Sequence, residues 1–121
     1  MSRKHHLQTL QALELQRARL LTELRRPAVF VVGTVSEVRA RCGKPGCHCA
    51  RGPGHPQMRV LYAEGDRRRC KLVRKGDEVR IRQAGARYRA LRTALRALAA
   101  LQARELRLLR RLVREGGLRY R

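Results

Sequence analysis

The stretch Cys42-Gly-Lys-Pro-Gly-Cys-His-Cys49, with His55 six residues further on, decides how the middle of this chain folds. Residues 42–56 are so rich in glycine and proline that no regular helix or strand is expected there. Structural zinc sites use four Cys or His ligands in a tetrahedron. The ligands that this spacing predicts for one structural Zn²⁺ are Cys42, Cys47, Cys49 and His55.

Two other residues compete for the fourth ligand position. His48 lies between two cysteines, where it would be crowded by ligands on both sides, and Cys70 could reach the metal from a later segment. Four cysteines would also suit an iron–sulfur cluster, whereas dithiol redox chemistry favours a Cys-x-x-Cys pair, which the chain lacks. We expect zinc, whose binding supplies about 10–16 kcal/mol to such a small segment. Four protein ligands leave no water to activate, so the site is predicted to be structural.

The sequence of residues 42–55 resembles a motif found in a family of short prokaryotic zinc-site proteins of unknown function, often annotated beside transposases. That motif reads C-G-K-P-x-C-x-C-A-x-G-x-x-H, and the resemblance covers roughly residues 33–75. It implies the same four ligands, a hairpin followed by a long helix, a mobile-element or DNA-transaction context and no established catalytic activity. The chain departs from the family at residues 56–58, where the family favours G-P-Y, and at residues 67–69, near its G-K turn.

Apolar periodicity predicts a helix on each side of the cysteines, over residues 4–25 and 77–115. Five leucines of the first helix share one arc that also contains Arg17, and Pro27 ends the pattern. We expect His5 and His6 to be disordered. Gly116-Gly117 ends the second helix. The apolar stripe predicted along the second helix consists of Ala84, Tyr88, Leu91, Leu95, Leu98, Gln102, Leu106, Leu109 and Val113.

Between the helices, residues 28–41 read as a strand, and residues 59–62 and 69–73 as a β-hairpin with a turn at residues 64–66. The predicted fold is α+β: an N-terminal helix (1–26), a small zinc-stapled β-hairpin unit (27–75) and a long basic C-terminal helix with its tail (76–121). Together they form one domain, with the long helix packed antiparallel on the first.

The predicted contact between the helices contains one charge. Arg17 lies in the apolar arc, and a buried Arg needs a partner, so we expect it beside Gln102 or Glu105. So long a helix would have apolar surface left over, and a homodimer through the helices is therefore a further expectation.

The chain is strongly basic, with 30 Lys and Arg against 9 Asp and Glu and a net charge of +21. Such an excess repels itself, and release of counterions makes a phosphate polymer the expected partner. No apolar run approaches the ~20 residues of a membrane span, and the first residues lack the apolar core of a signal peptide. We therefore expect a cytoplasmic, nucleoid-associated protein with reduced cysteines, no membrane contact and no small-molecule substrate.

Two groups of basic residues are candidates for nucleic-acid binding. Those on the long helix recur at spacings that stack on one side, over about 38 Å from Arg89 to Arg114. The second group lies on the predicted hairpin. Aromatic residues are too scattered for single-strand stacking, which favours duplex DNA or structured RNA held by its phosphates. Of these two partners, we expect duplex DNA. The candidates are Arg67, Arg68, Arg69 and Lys71 on the hairpin, with Arg82, Arg89, Arg92, Arg96, Arg107, Arg110 and Arg114 on the helix.

No catalytic motif is present: the acids form no carboxylate cluster, and neither a phosphate loop nor a nucleophile elbow occurs. The sequence therefore predicts a non-enzymatic, zinc-containing nucleic-acid-binding protein, most simply a DNA-binding accessory or regulatory factor, in the context of a mobile element. Two alternatives remain open: an RNA- or ribosome-associated structural protein, and a helical adaptor for a transposase-like partner.

Overall fold

The N-terminal helix, α1, spans Arg3–Arg25 in the computed structural model, which describes residues 2–118 and 120. Ser2 caps it, because the Ser2 side-chain oxygen accepts a hydrogen bond from the backbone N–H of His5 at 3.2 Å. The helix ends two residues before Pro27, whose ring cannot continue a helix. The predicted helix over residues 4–25 is thus confirmed.

The middle of the chain forms a three-stranded antiparallel sheet in the order β1-β2-β3. Its strands are β1 (Thr34–Ala40), β2 (His55–Glu64) and β3 (Arg67–Leu72). The two-residue turn between β2 and β3 has Gly65 first, at φ +64°, as a tight hairpin turn requires. The predicted hairpin is confirmed, and β1 adds a third strand on the other side of β2.

The predicted strand over residues 28–41 is wrong in its first half. Gly33 has φ +138°, which breaks the extended path, so β1 begins only at Thr34. Residues 28–32 instead run alongside the C-terminal helix, because the Val31 N–H donates to the Ala84 carbonyl of that helix at 3.3 Å. The Phe30 ring also stacks on a tyrosine of that helix, Tyr88, with ring centroids 5.9 Å apart.

The C-terminal helix, α2, spans Glu78–Gly116 and follows a short 3₁₀ turn at Lys75–Asp77. This confirms the predicted helix to within one residue at either end. The contacts divide the chain into two compact units that share α2. The sheet unit comprises residues 28–89, and the helical unit comprises the residues up to Pro27 together with those from Ala90 onward.

Within the sheet unit, the first turns of α2 lie close against β1. Gly85 makes this possible, because a Cβ atom there would collide with the Cγ2 atom of Val35. The buried apolar side chains of the sheet unit are Met58, Ala84 and Cys49. The glycine that weakens α2 as an isolated helix is therefore needed for its packing.

Within the helical unit, α1 and the second part of α2 pack antiparallel through a leucine seam. The antiparallel sense follows from the contacts, since Arg3 donates to the Leu112 carbonyl at 3.4 Å. The buried positions on this part of α2 follow one another at intervals of seven, four and seven residues, as in a coiled coil. The apolar side chains buried in the seam are Leu10, Leu13, Ala94, Leu101 and Leu112.

One ion pair interrupts the leucine seam. Arg17 Nη1 lies 2.8 Å from Glu105 Oε2, and the Glu105 side chain is only 7% exposed. The pair confirms the predicted partner of Arg17. A single charged pair at core positions fixes the register of two helices, because any other alignment would leave one charge buried alone.

The predicted apolar stripe of α2 is wrong for five of its members, because Gln102 and four apolar residues are exposed. The seam positions of α2 lie one residue before the predicted ones, at Ala94, Leu101 and Leu112, and one residue on a helix is a rotation of about 100°. The four misplaced apolar side chains form an exposed stripe instead: Leu95, Leu106, Leu109 and Val113.

The expectation that His5 and His6 are disordered is also wrong, since both lie on α1. His6 is 3% exposed, with Nδ1 3.6 Å from Glu115 Oε2 and Nε2 3.5 Å from Arg111 Nη1. His6 is therefore a polar member of the seam near its open end. Among the residues that the structure describes, no helix is long and apolar enough to cross a membrane.

Candidate metal centre

The candidate metal centre lies in the loop that joins β1 to β2. The two strands pair up to Ala40 and His55, which face each other in register, so residues 41–54 form a closed loop at the end of the ladder. Cys42 follows β1 directly, and His55 is the first residue of β2. Sheet pairing therefore holds the first and last of the four predicted ligands next to each other.

Local turns bring the two middle ligands to the same place. The Cys47 N–H donates to the Lys44 carbonyl at 3.2 Å, which closes the turn that Pro45 and Gly46 permit. A 3₁₀ turn then runs over His48–Arg51 and carries Cys49, which is buried. The Gly/Pro-rich segment thus forms two consecutive turns instead of a regular helix or strand. The first turn positions Cys47 and the second positions Cys49.

Gly54 is required where the loop returns to the sheet. Its φ is +94°, and a Cβ atom there would collide with the carbonyl group of Ala40. Two arginines of the opposite side of the loop hold this segment: Arg39 donates to the Gly54 carbonyl at 3.2 Å and Arg41 to the Gly52 carbonyl at 3.3 Å. The sequence analysis missed both, since side-chain bonds to a backbone carbonyl leave no pattern in the sequence.

The ligand atoms of the four predicted residues form one cluster. All lie within 4.8 Å of one another. The Cys42 and Cys49 sulfurs are 3.4 Å apart, too far for a disulfide, and the Cys47 sulfur is 3.1 Å from His55 Nε2. Zn–S bonds of about 2.3 Å and Zn–N bonds of about 2.0–2.1 Å place tetrahedral ligand atoms roughly 3.5–3.8 Å apart. The observed separations span this value, so the cluster can hold one metal ion.

The thiols have unequal proton affinities. The backbone N–H of Lys44 lowers the pKa of Cys42 to about 7, and the Cys49 side chain adds to this effect. For Cys49, the backbone N–H of Cys42 lowers the pKa, but burial and the neighbouring thiols outweigh it and raise the pKa overall. The thiol of Cys42 is therefore the easier of the two to deprotonate for a metal ion, which binds the thiolate form.

The two competing ligands are not part of this cluster. The His48 ring packs edge-on against the His55 ring, with centroids 5.4 Å apart, and so borders the cluster. Cys70 is exposed on β3, opposite Leu61 in the ladder. The cluster of the described residues is thus the Cys₃His set, and His48 contributes a contact to one of its members.

The predicted basic residues of the hairpin lie on β3, every residue of which is exposed. Arg69 pairs with Glu64 across the hairpin at 3.2 Å. Arg82, on α2, donates through Nε to Glu37 of β1 at 3.1 Å, and this bond raises the Arg82 pKa above its ordinary value. The sequence analysis missed Glu37. We call the exposed basic group of β3 the hairpin patch: Arg67, Arg68, Arg69 and Lys71.

In the helical unit, the predicted arginines of α2 lie together on one exposed side. Four of them follow a residue of the exposed stripe by one position each, so they lie about a quarter-turn further around the helix. We call this group the arginine face: Arg92, Arg96, Arg107, Arg110 and Arg114. Arg89 is also exposed, on the part of α2 that belongs to the sheet unit.

The fold and the cluster define a small α+β protein with a Cys₃His metal site in the loop between two antiparallel strands. The chain belongs to the family described as a domain of unknown function, DUF6788, whose model matches residues 10–83. This match covers more than half of the chain and includes the loop of residues 41–54 together with His55. No curated protein and no solved structure matches the chain.

Proposed function

We propose that this protein binds nucleic acid without catalysing a reaction, and that a structural zinc ion holds its sheet unit in shape. Duplex DNA is the favoured ligand, and an accessory or regulatory role in DNA transactions follows from it. The resemblance of residues 42–55 extends the proposal to a mobile-element context. The observation that carries the proposal is the arginine face on a chain of net charge +21.

The arginine face has the dimensions of a surface that follows a phosphate backbone. From Arg92 to Arg114 it extends about 33 Å at 1.5 Å per residue, close to one turn of duplex DNA. Its middle carries only small side chains, because Ala99, Ala100 and Ala103 occupy the same side of α2 between Arg96 and Arg107. Small residues there let a sugar-phosphate backbone approach the helix, while the arginines on either side contact the phosphates.

Acidic side chains do not neutralise this face. Between residues 79 and 118, the only acids are Glu105, which pairs with Arg17, and Glu115, which lies beside His6. Both contacts are directed into the helical hairpin. Arg96, Arg107, Arg110 and Arg114 therefore keep their positive charge toward solvent, where an anionic polymer would release counterions on binding.

The hairpin patch offers a second contact surface, on the sheet unit. β3 is an edge strand, and its basic side chains alternate between the two faces of a two-stranded tip. Charged edge strands also resist pairing with other chains, which is a sufficient structural reason for some of these charges. In the proposal, the hairpin patch adds phosphate contacts to those of the arginine face.

Zinc fits the cluster by the chemistry of its donor set. Three thiolates and one imidazole complete a tetrahedral shell, which is typical of structural zinc. Cys42, Cys47, Cys49 and His55 would hold the ion, and its role would be to fix the loop between β1 and β2. With four protein ligands, no coordination position remains for a substrate.

The proposal is tested by the salt dependence of binding to unrelated duplexes, measured by fluorescence anisotropy. Four or more phosphate contacts give a log–log slope of about −3.6 or steeper. We expect Arg96→Gln with Arg107→Gln to make the slope shallower by about one to two and to weaken binding equally for every sequence. Glutamine keeps the side-chain length and the helix propensity, so the fold is preserved.

The matched control removes the same charge from α1. Arg19→Gln with Arg25→Gln changes two exposed arginines outside the arginine face. We expect this variant to keep the wild-type slope. If both double variants change the slope equally, the binding reflects net charge alone. If neither the wild type nor the variants bind duplex DNA but do bind a structured RNA, the RNA alternative replaces the DNA proposal.

A further inference from the structure

The exposed stripe of α2 is an apolar surface without a neighbour in the helical unit. Its four side chains are between 45% and 73% exposed. Three of them, Leu106, Leu109 and Val113, line a shallow hollow with the aliphatic parts of Arg110 and Arg114. The stripe from Leu95 to Val113 extends about 27 Å along the helix, or five turns. This is long enough for a helix, and scattered single leucines would not form such a row.

α1 extends this apolar surface on one side. Thr9 of α1 borders a hollow with Arg104 and Leu108, on the flank of α2 away from the exposed stripe. The opposite flank of α1 therefore adjoins the stripe, and it carries Leu7 and Leu21, which are 41% and 37% exposed. We call the stripe together with this flank of α1 the groove; its α1 side carries Leu7 and Leu21 with the exposed Glu14 between them.

The spacing of the stripe indicates what shape of partner fits. Each residue of the stripe comes one position after a residue of α2 that is buried in the seam, or that lies seven residues from a buried one. α2 therefore carries two apolar rows, the seam row and the stripe, about 100° apart. A helix in a two-helix hairpin needs one such row, whereas a helix in a bundle of three or more needs two. The missing neighbour is therefore another helix.

Charge indicates which helix fits. The stripe is bordered along its length by the arginine face, and α2 has no unpaired acid beside it. A second copy of the chain would bring the same arginines to the groove, and like charges across a helix interface are unfavourable. We infer that the groove of the helical unit binds an acidic amphipathic helix of another protein, with apolar residues on the stripe and carboxylates on Arg110 and Arg114, which line the hollow at the stripe.

The test uses a peptide of about three heptads with Leu at positions a and d and Glu at e and g, which keeps the peptide from pairing with itself. Binding of the full-length protein is measured by anisotropy. We expect saturable binding, and no binding when Lys replaces every Glu. Leu106→Gln with Val113→Gln should weaken binding roughly tenfold or more, because two apolar contacts are lost.

A control variant tests whether the loss of peptide binding is specific to the groove. Leu15→Gln with Leu118→Gln changes two side chains that are 65% and 102% exposed and lie outside the groove. We expect it to bind the peptide like the wild type. Circular dichroism checks that each variant keeps its helices. Binding of duplex DNA by Leu106→Gln with Val113→Gln is measured in parallel and should be unchanged, which separates this inference from the proposed function.

Two results would overturn the inference. Equal peptide binding by the wild type and by Leu106→Gln with Val113→Gln would show that charge alone attracts the peptide. A wild-type dimer in sedimentation that becomes a monomer in that variant would show that a second copy covers the groove.

Discussion

The helical unit and the sheet unit use different means to hold their structure. The helical unit buries a continuous row of leucine and alanine side chains between two helices, with one ion pair among them. The sheet unit buries only Met58, Ala84 and Cys49 among its apolar side chains. Its most irregular segment instead contains the four clustered ligands. Apolar burial is therefore sufficient for the first unit, whereas the second has little of it, and in the proposed function a bound ion takes its place.

The largest expected effect is the loss of the metal. Cys47→Ser removes one ligand of four, and structural zinc contributes about 10–16 kcal/mol in small domains. We expect the loop and the sheet to lose their order while the hairpin of α1 and α2 stays helical. Metal analysis together with amide exchange resolved by residue would measure this. Cys70→Ser, outside the cluster, should keep one zinc per chain, and a metal-free wild type with an ordered loop would contradict the prediction.

The ion pair in the leucine seam should give the next largest effect. Glu105→Leu leaves Arg17 without its partner, which costs about 3–5 kcal/mol for a fully buried pair. The Arg17 side chain is 40% exposed, so water offsets part of this cost and we expect about 2 kcal/mol. Urea unfolding of the helical unit gives the measurement.

A second variant tests the interpretation of this pair. Arg17→Leu combined with Glu105→Leu removes both charges, and we expect most of the lost stability to return. Glu14→Gln, on the exposed surface of α1, should have almost no effect. If Glu105→Leu were as stable as the wild type, the pair would have no role in the seam.

The contact between α2 and β1 should show a smaller effect. Gly85→Ala improves helix propensity by about 1 kcal/mol, but its methyl group would collide with Val35 and overpacking costs about 1–3 kcal/mol. We expect a net loss of about 1 kcal/mol in thermal unfolding of the zinc-bound protein. Gly76→Ala, where a Cβ atom would meet open space, serves as the control. A stabilised Gly85→Ala variant would mean that α2 is not held against β1.

The smallest effect is expected for the pair of Arg82 and Glu37. Both side chains are more than half exposed, and exposed pairs contribute about 0.2–1 kcal/mol. Glu37→Gln should therefore lower stability by less than about 1 kcal/mol, and the loss should shrink in high salt. Thermal unfolding at low and high salt measures it. A loss that salt leaves unchanged would indicate a packing role for Glu37.

The sequence was most informative where structure depends on neighbours along the chain. The bounds of both helices followed from leucine spacing, Pro27 and Gly116, and the hairpin followed from its turn. The four clustered ligands lie within fourteen residues, so their spacing was sufficient to predict their proximity. The partner of Arg17 could be predicted because an antiparallel hairpin of two known helices allows few alignments.

The sequence was least informative where a contact between two distant segments decides which of several similar side chains is buried or paired. Leu101 and Leu106 belong to apolar rows with the same heptad spacing, and only packing against α1 decides which row is buried. The contact of Gly85 with Val35 joins residues from a helix and a strand without any shared pattern. The bond from Arg82 to Glu37 spans 45 residues, and nothing local distinguishes that arginine from the others on α2.

The division of the chain has a consequence for synthesis on the ribosome. α1 is made before the sheet unit, and the part of α2 that packs on α1 is made after the sheet unit. At roughly 5–20 residues per second, several seconds pass between the synthesis of the α1 leucines and that of their partners on α2. The strands and the clustered Cys and His residues therefore emerge earlier than the second half of α2. The sheet unit can assemble while α1 still lacks its partner, whereas the helical hairpin closes only after the second half of α2 has emerged.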